Sequence, residues 1–237
     1  MNRFKQTAAA IVAAMWIPLV AFNVNCENHE GPILGIDVSH FQGDIHWKEV
    51  DEAKIRFAYA RATQSTDYRD PDFERNWKAI KAAGVAAGAY HFFVAGEDPL
   101  QQAETFVRTV GRLESGDMPP MIDLEPAGMR RGIRKKRYQK HVFTWLKIVE
   151  EDLGTRPIIY TDYYFARDYL TDPRFGKYPL WIAAYGVEKP EIPDAWAKHG
   201  WTIWQRAERG TVAGVAGNVD HDIFNGDWNK FQDFLVK

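Results

Sequence analysis

Asp123 and Glu125 stand two residues apart at the end of an apolar run, in the stretch MPPMIDLEP (118–126). Side chains alternate faces along a strand, so the two carboxylates point the same way and Leu124 points the other. Like charges side by side on a largely buried element cost free energy unless the pairing is used. Two further acids occupy comparable places: Asp37 in GIDVSHFQG (35–43) and Asp220 in GNVDHDIFNGDW (217–228). Clustered carboxylates bind divalent metals, or they run acid/base chemistry on a glycosidic bond. Crowding serves the second use. A carboxyl surrounded by negative charge holds its proton to higher pH and can then give it to a leaving oxygen. An ionised neighbour stabilises the positive charge that develops on the sugar ring. Taken singly, each acid reads as a surface charge or a cap. Their joint occurrence at strand ends is what points to chemistry.

Other chemistries have little support. His40, His46, His91 and His221 are scattered without HxxxH or HExxH spacing, so no metal site is expected. His91, inside AYHFF (89–93), reads as a hydrogen-bonded strand histidine. The single cysteine, Cys26, excludes an internal disulfide and a multi-cysteine metal site. There is no GxSxG and no phosphate-binding loop, and AGVAGN (213–218) lacks the flanking strand and helix of a nucleotide site. No cofactor is expected. A formal net charge of -2 gives no ground for a nucleic-acid partner. The basic cluster RRGIRKKR (130–137) reads either as a solvated helix start or as an attractor of an anionic polymer.

These acids need elements to hold them. Strand-length apolar runs lie at 33–39, 56–63, 85–93, 119–125, 157–161, 179–185, 201–205 and 218–224. Helical periodicity appears at 71–84, 98–113 and 133–154, the first and last stopped by Gly84 and Gly154. Alternating strand and helix implies a mainly parallel sheet with helices outside. About eight strands in some 200 residues fits a small (β/α) barrel, irregular after residue 179, where little room is left for helices. In such barrels chemistry sits at the C-terminal ends of the strands, which would bring the four acids to one rim. Residues 1–30 read as an export signal and short linker. Arg3 and Lys5 precede an uncharged apolar stretch (7–22), and a polar segment follows it. Residues 31–237 would form the catalytic barrel.

In order along the chain, GIDVSHFQGDIHW, RATQSTDYRDPDFERNWKAIKAAGVAAGAYHFF, MIDLEP, PIIYT, YPLWIAAYG, WTIWQ and GNVDHDIFNG resemble the glycoside hydrolase family 25 lysozymes. The resemblance spans about residues 33–230. It implies an irregular (β/α) barrel of five β/α units followed by strands with few helices. It also implies a muramidase that cuts the β-1,4 bond between N-acetylmuramic acid and N-acetylglucosamine in peptidoglycan. By motif, Glu125 would be the general acid and Asp123 the charge or orienting partner, with Asp37 and Asp220 in support. Tyr90, Tyr160, Phe92, Trp181, Tyr185, Trp204 and Gln205 would line the substrate groove. Gln64 departs from the family pattern, which often has an acid there. A catalytically weak wall-binding barrel, or a glycosidase of a related N-acetylhexosamine polymer, are the competing readings. The resemblance implies peptidoglycan glycan strands as partner; action as a monomer is expected, and the N-terminal segment implies a secreted or periplasmic location.

Overall fold

The computed structural model describes residues 31–237; the proposed export signal and Cys26 lie outside them. Five strand–helix units come first. They are β1 (Ile33–Val38) with α1 (Trp47–Glu52), then β2 (Ile55–Gln64) with a two-residue arm β3 (Tyr68–Arg69) and α2 (Phe73–Ala82). Next are β4 (Ala86–Phe92) with α3 (Pro99–Val110), β5 (Met121–Asp123) with α4 (Lys135–Leu153), and β6 (Ile158–Asp162) with α5 (Tyr163–Tyr169). The last third holds β7 (Leu180–Ala183), β8 (Ile203–Gly210), β9 (Val219–Phe224) and a closing helix α6 (Trp228–Phe234).

The sheet runs β1-β9-β8-β7-β6-β5-β4-β2-β3 and closes through a β1–β2 pairing. With β3 as an arm off β2, eight strands form the barrel. Every barrel pairing is parallel except the two made by β9, which runs against both β8 and β1. Only residues 211–218 connect β8 to β9, too few for the crossover that a parallel return requires. Between β7 and β8 a single 3-10 turn (Asp194–Trp196) replaces a helix. Trp196 covers the sheet there, fully buried, with its Nε1 donating to the Tyr178 carbonyl at 2.9 Å.

Alternation sorts the strand residues into two layers. Ile36, Val38, Ala58, Ala60, Ala87 and Ala89 face the helices, and the small side chains let α2 and α3 lie close. Ile33, Phe57, Tyr59, Tyr90, Met121 and Trp181 fill the barrel lumen, which Phe231 of α6 and Leu235 just after it plug at the far end. Two lumen positions are glycines for a steric reason. A Cβ on Gly35 would overlap the Phe57 ring, and one on Gly88 would overlap Tyr59. His91 faces outward and is fully buried. Its Nε2 donates to Gln102 Oε1 at 3.0 Å, the Thr63 hydroxyl meets its Nδ1 at 2.7 Å, and its ring stacks on Trp145. Burial pushes its pKa down to about 4. It is a structural pin between β4 and α3.

Candidate active site

The C-terminal ends of the parallel strands surround a cavity of about 290 Å³. Each acid reaches it by simple alternation. On β1, Asp37 follows Ile33 and Gly35 on the lumen side, between outward-facing Ile36 and Val38. On β5, Met121 and Asp123 face the lumen while Ile122 and Leu124 enter the outer apolar layer. Glu125 is the next lumen-side residue and stands half-buried at the mouth, where Pro126 begins a 3-10 turn. Because β9 is antiparallel, its beginning lies at this same rim, and Asp220 sits directly opposite Asp37 in register.

A hydrogen-bond network ties the walls together. Gln205 on β8 donates from Nε2 to Asp37 Oδ2 at 2.7 Å. Its Oε1 accepts from the Tyr160 hydroxyl at 2.8 Å and the Tyr185 hydroxyl at 2.5 Å. Two hydroxyl donors on the oxygen fix the amide orientation, so the nitrogen must face Asp37. Deeper in the lumen, Asp222 is buried opposite Gly35 and accepts from Trp181 Nε1 at 3.1 Å. Arg61 on β2 is the cation of the wall. Its Nε donates to Asp70 Oδ2 at 3.1 Å, and its guanidinium lies 5.2 Å from the Phe41 ring centroid.

The electrostatics follow from burial and crowding. Burial pushes the Asp123 carboxyl well above the usual carboxylate range, and the charges of Glu125 and Asp37 push it further, against the opposing pull of Arg61. Asp123 Oδ1 is buried without a hydrogen-bond partner among the described residues. Glu125 is raised by burial and then by Asp162. Asp37 is raised by burial and by the charge of Asp222, and Asp222 by burial and by Asp220. Asp220 is pushed up to about 9, first by burial and next by Asp37. The cavity therefore holds protons that free carboxylates would have lost.

This has a consequence for stability. The folded chain binds protons on these groups that the unfolded chain has already released, from 3.8 up to about 9 for Asp220. The stability they contribute is full below the ordinary carboxylate value and is lost as pH rises through that window. Asp70 works in the opposite sense. Burial alone would raise it, but hydrogen bonds from His40, the Asp72 amide and Arg61 outweigh burial and hold it below 3.8. Its contribution is present above 3.8 and is lost as pH falls through the depressed value. Thermal melting is thus expected to peak in mildly acidic buffer and decline toward alkaline pH. A Tm that climbs steadily from about pH 5 to about pH 8 would contradict the proton binding described here.

Of the residues singled out by sequence, Asp37, Asp123, Glu125, Asp220, Tyr90, Phe92, Tyr160, Tyr185 and Gln205 line this one cavity. Trp181 and Trp204 do not, and their placement in the groove is corrected. Trp181 is fully buried beneath the cavity, packed on Tyr59 and bonded to Asp222. Trp204 faces away from the lumen, since Ile203 and Gln205 on either side of it face inward. Its Nε1 donates to the Ala184 carbonyl at 2.7 Å. Gln64 ends β2, half-buried, in register with Phe92.

Arg61, Glu208 and the buried Asp222 were not singled out by sequence, and neither were the lining residues Ser39 and Gln42. Arg61 is a lone cation within an apolar strand, a legible signal. Asp222 stands two residues from Asp220 and so shares its face, as Glu125 shares that of Asp123. No group of three or more His, Cys, Asp or Glu among the described residues is arranged to hold a metal ion. No helix among them is long and apolar enough to cross a membrane.

Comparison with known proteins follows the same lines. The family model described as glycosyl hydrolases family 25 matches residues 36–215. The chain is 36% identical over 208 residues to the uncharacterized protein YegX of Escherichia coli strain K12, covering 86% of this chain and 73% of that one. It is 33% identical over 206 residues to lysozyme M1 of Streptomyces globisporus, covering 82% and 68%. Among solved structures, the bacterial lysozyme from Streptomyces coelicolor superposes with a TM-score of 0.81 at 30% identity, covering 86% of this chain and 97% of that one.

Proposed function

The chain belongs to the glycosyl hydrolases of family 25, and from that premise we propose that it is a lysozyme. It hydrolyses the β-1,4 bond between N-acetylmuramic acid and N-acetylglucosamine in peptidoglycan. The observation that carries the assignment of roles is the pairing of a half-buried Glu125 at the cavity mouth with a buried Asp123 beneath it, both held above the usual carboxylate range. Position divides their work. Glu125 reaches the mouth, where a glycosidic oxygen would lie, and it gives that oxygen a proton as the bond to the anomeric carbon breaks. Asp123, with an oxygen free of hydrogen bonds, faces the sugar ring. It orients a substrate donor and steadies the developing positive charge.

Asp37 and Asp220 tune the charge and geometry of the cavity, and Gln205 holds Asp37 in place through the tyrosine pair. Tyr90, Phe92, Tyr160 and Tyr185 supply flat apolar faces, those of the tyrosines with a polar edge, the surface a sugar ring stacks on. The substrate lies in the cell envelope. The basic and then apolar N-terminal segment supports export to the periplasm or medium, where the barrel acts as a monomer. Digestion of purified peptidoglycan tests the reading. New reducing ends are expected on N-acetylmuramic acid, and the anomer released first distinguishes retention from inversion. New reducing ends on N-acetylglucosamine would reassign the enzyme to another bond.

A further inference from the structure

The segment that leaves the active site carries a strong positive charge, and seven of its cations make no ion pair among the described residues. From Pro126 to Val149 there is no acid, and eight lysines and arginines fall within it. Arg130, Arg131, Arg134, the run Lys135–Arg137 and Lys140 are exposed, and none makes an ion pair among the described residues. The arrangement also opposes local stability. Arg134 is the N-cap of α4 and three further cations open its first turn, which contains no acid and no side-chain cap. That end of a helix carries partial positive charge and favours acids. A local rule broken this plainly, with no structural gain beside it, marks a site kept for another purpose.

The location says which purpose. Residue 126 follows Glu125 directly, so the segment sits on the rim where the cavity opens. It is pinned there: Met129 and Ile133 pack into the outer apolar layer, and the Ala95 amide donates to the Gly128 carbonyl at 2.9 Å. A side chain on Gly96 would meet Ile133 and Arg130, so this basic stretch also leans on the loop between β4 and α3. A fixed basic shoulder therefore stands beside a cavity lined by Asp37, Asp123, Glu125, Glu208 and Asp220. The sugar backbone of peptidoglycan is neutral, but the peptide stems on its muramic acid units end in free carboxylates. The cavity lining offers such stems no cation but Arg61, so opposite charge has to meet them at the rim.

We propose that the Arg130–Arg134 shoulder, continued by the first turn of α4, binds the stem carboxylates of peptidoglycan. It thereby selects stem-bearing glycan over bare glycan. This rests on the lysozyme reading and specifies its substrate. Exposed ion pairs are individually weak and strongly screened, so the effect is a sum over several contacts.

The test uses two substrates: purified peptidoglycan, and the same glycan after amidase removal of its stems. The triple variant Arg130→Gln, Arg131→Gln, Arg134→Gln is expected to lose about ten-fold in kcat/KM on the stem-bearing substrate at low salt, through KM. It should match the wild type on the stripped glycan. The corresponding lysine triple variant should retain most of the preference. Raising the salt to about 1 M, where the Debye length falls to about 3 Å, should erase the wild-type preference. Equal losses on both substrates, or no loss on either, overturn the proposal. So does loss of binding to phosphatidylglycerol vesicles with unchanged cleavage of both glycans, which assigns the shoulder to a membrane. A wild type that releases no reducing ends from either glycan overturns the lysozyme reading first, and this inference with it.

Discussion

Glu125→Gln is expected to fold normally and to lose about 10²–10⁴-fold in turnover on purified peptidoglycan. The amide keeps the size and hydrogen-bonding capacity of the acid, but it has no proton to give the departing oxygen. Binding to the insoluble wall should be largely preserved, since the groove and its aromatic faces are untouched. The wild-type pH profile should carry the same signature. Activity needs the protonated form, so the rate falls as pH rises through the Glu125 pKa. Burial, with the charge of Asp162, sets that pKa above the ordinary glutamate value of 4.5. The enzyme should therefore work in mildly acidic buffer and fade toward alkaline pH, and any residual rate of the variant should lack that alkaline limb. Initial rates of reducing-end release across pH measure both. Wild-type turnover in Glu125→Gln would remove the pair in MIDLEP from the catalytic centre.

Asp123→Asn is expected to cost about 10²-fold or more in turnover while raising the melting temperature at neutral pH. The two effects have different sources. Activity falls because the developing positive charge loses its nearest buried partner. Stability rises because a buried carboxyl crowded by Glu125 and Asp37, with one oxygen unpartnered, is replaced by a neutral amide. A residue kept only for the fold would lose stability and activity together. Thermal melts of the folded variant beside its pH–rate profile separate these cases, and a lowered Tm would refute the functional assignment of Asp123.

The local features of this protein were legible in its sequence because they repeat at short range. Period-two alternation places Asp123 and Glu125 on one face, with Leu124 on the other, and β5 with its following turn has that arrangement. Period 3.6 marked the long helices, with terminal glycines for the first and last, found at Phe73–Ala82, Pro99–Val110 and Lys135–Leu153; the second stops at Gly111, short of the expected residue 113. The short helices α1, α5 and α6 have six or seven residues each, about two turns, too few for a period to register.

What tertiary structure decided is which face became the lumen and which distant residues met there. In WIA and TIWQ both faces of the strand are apolar, as expected where a sheet is covered on each side, so alternation carries no sign. Barrel closure supplied it. Trp181 went beneath the acids, Trp204 went outward, and Gln205 came into contact with Asp37 across 168 residues of chain. The reversed direction of β9 set Asp220 opposite Asp37 and Asp222 opposite Gly35, two places deeper. Sequence names the carboxylates that share a strand. Only the non-local register of a closed sheet determines which carboxylates share a charge.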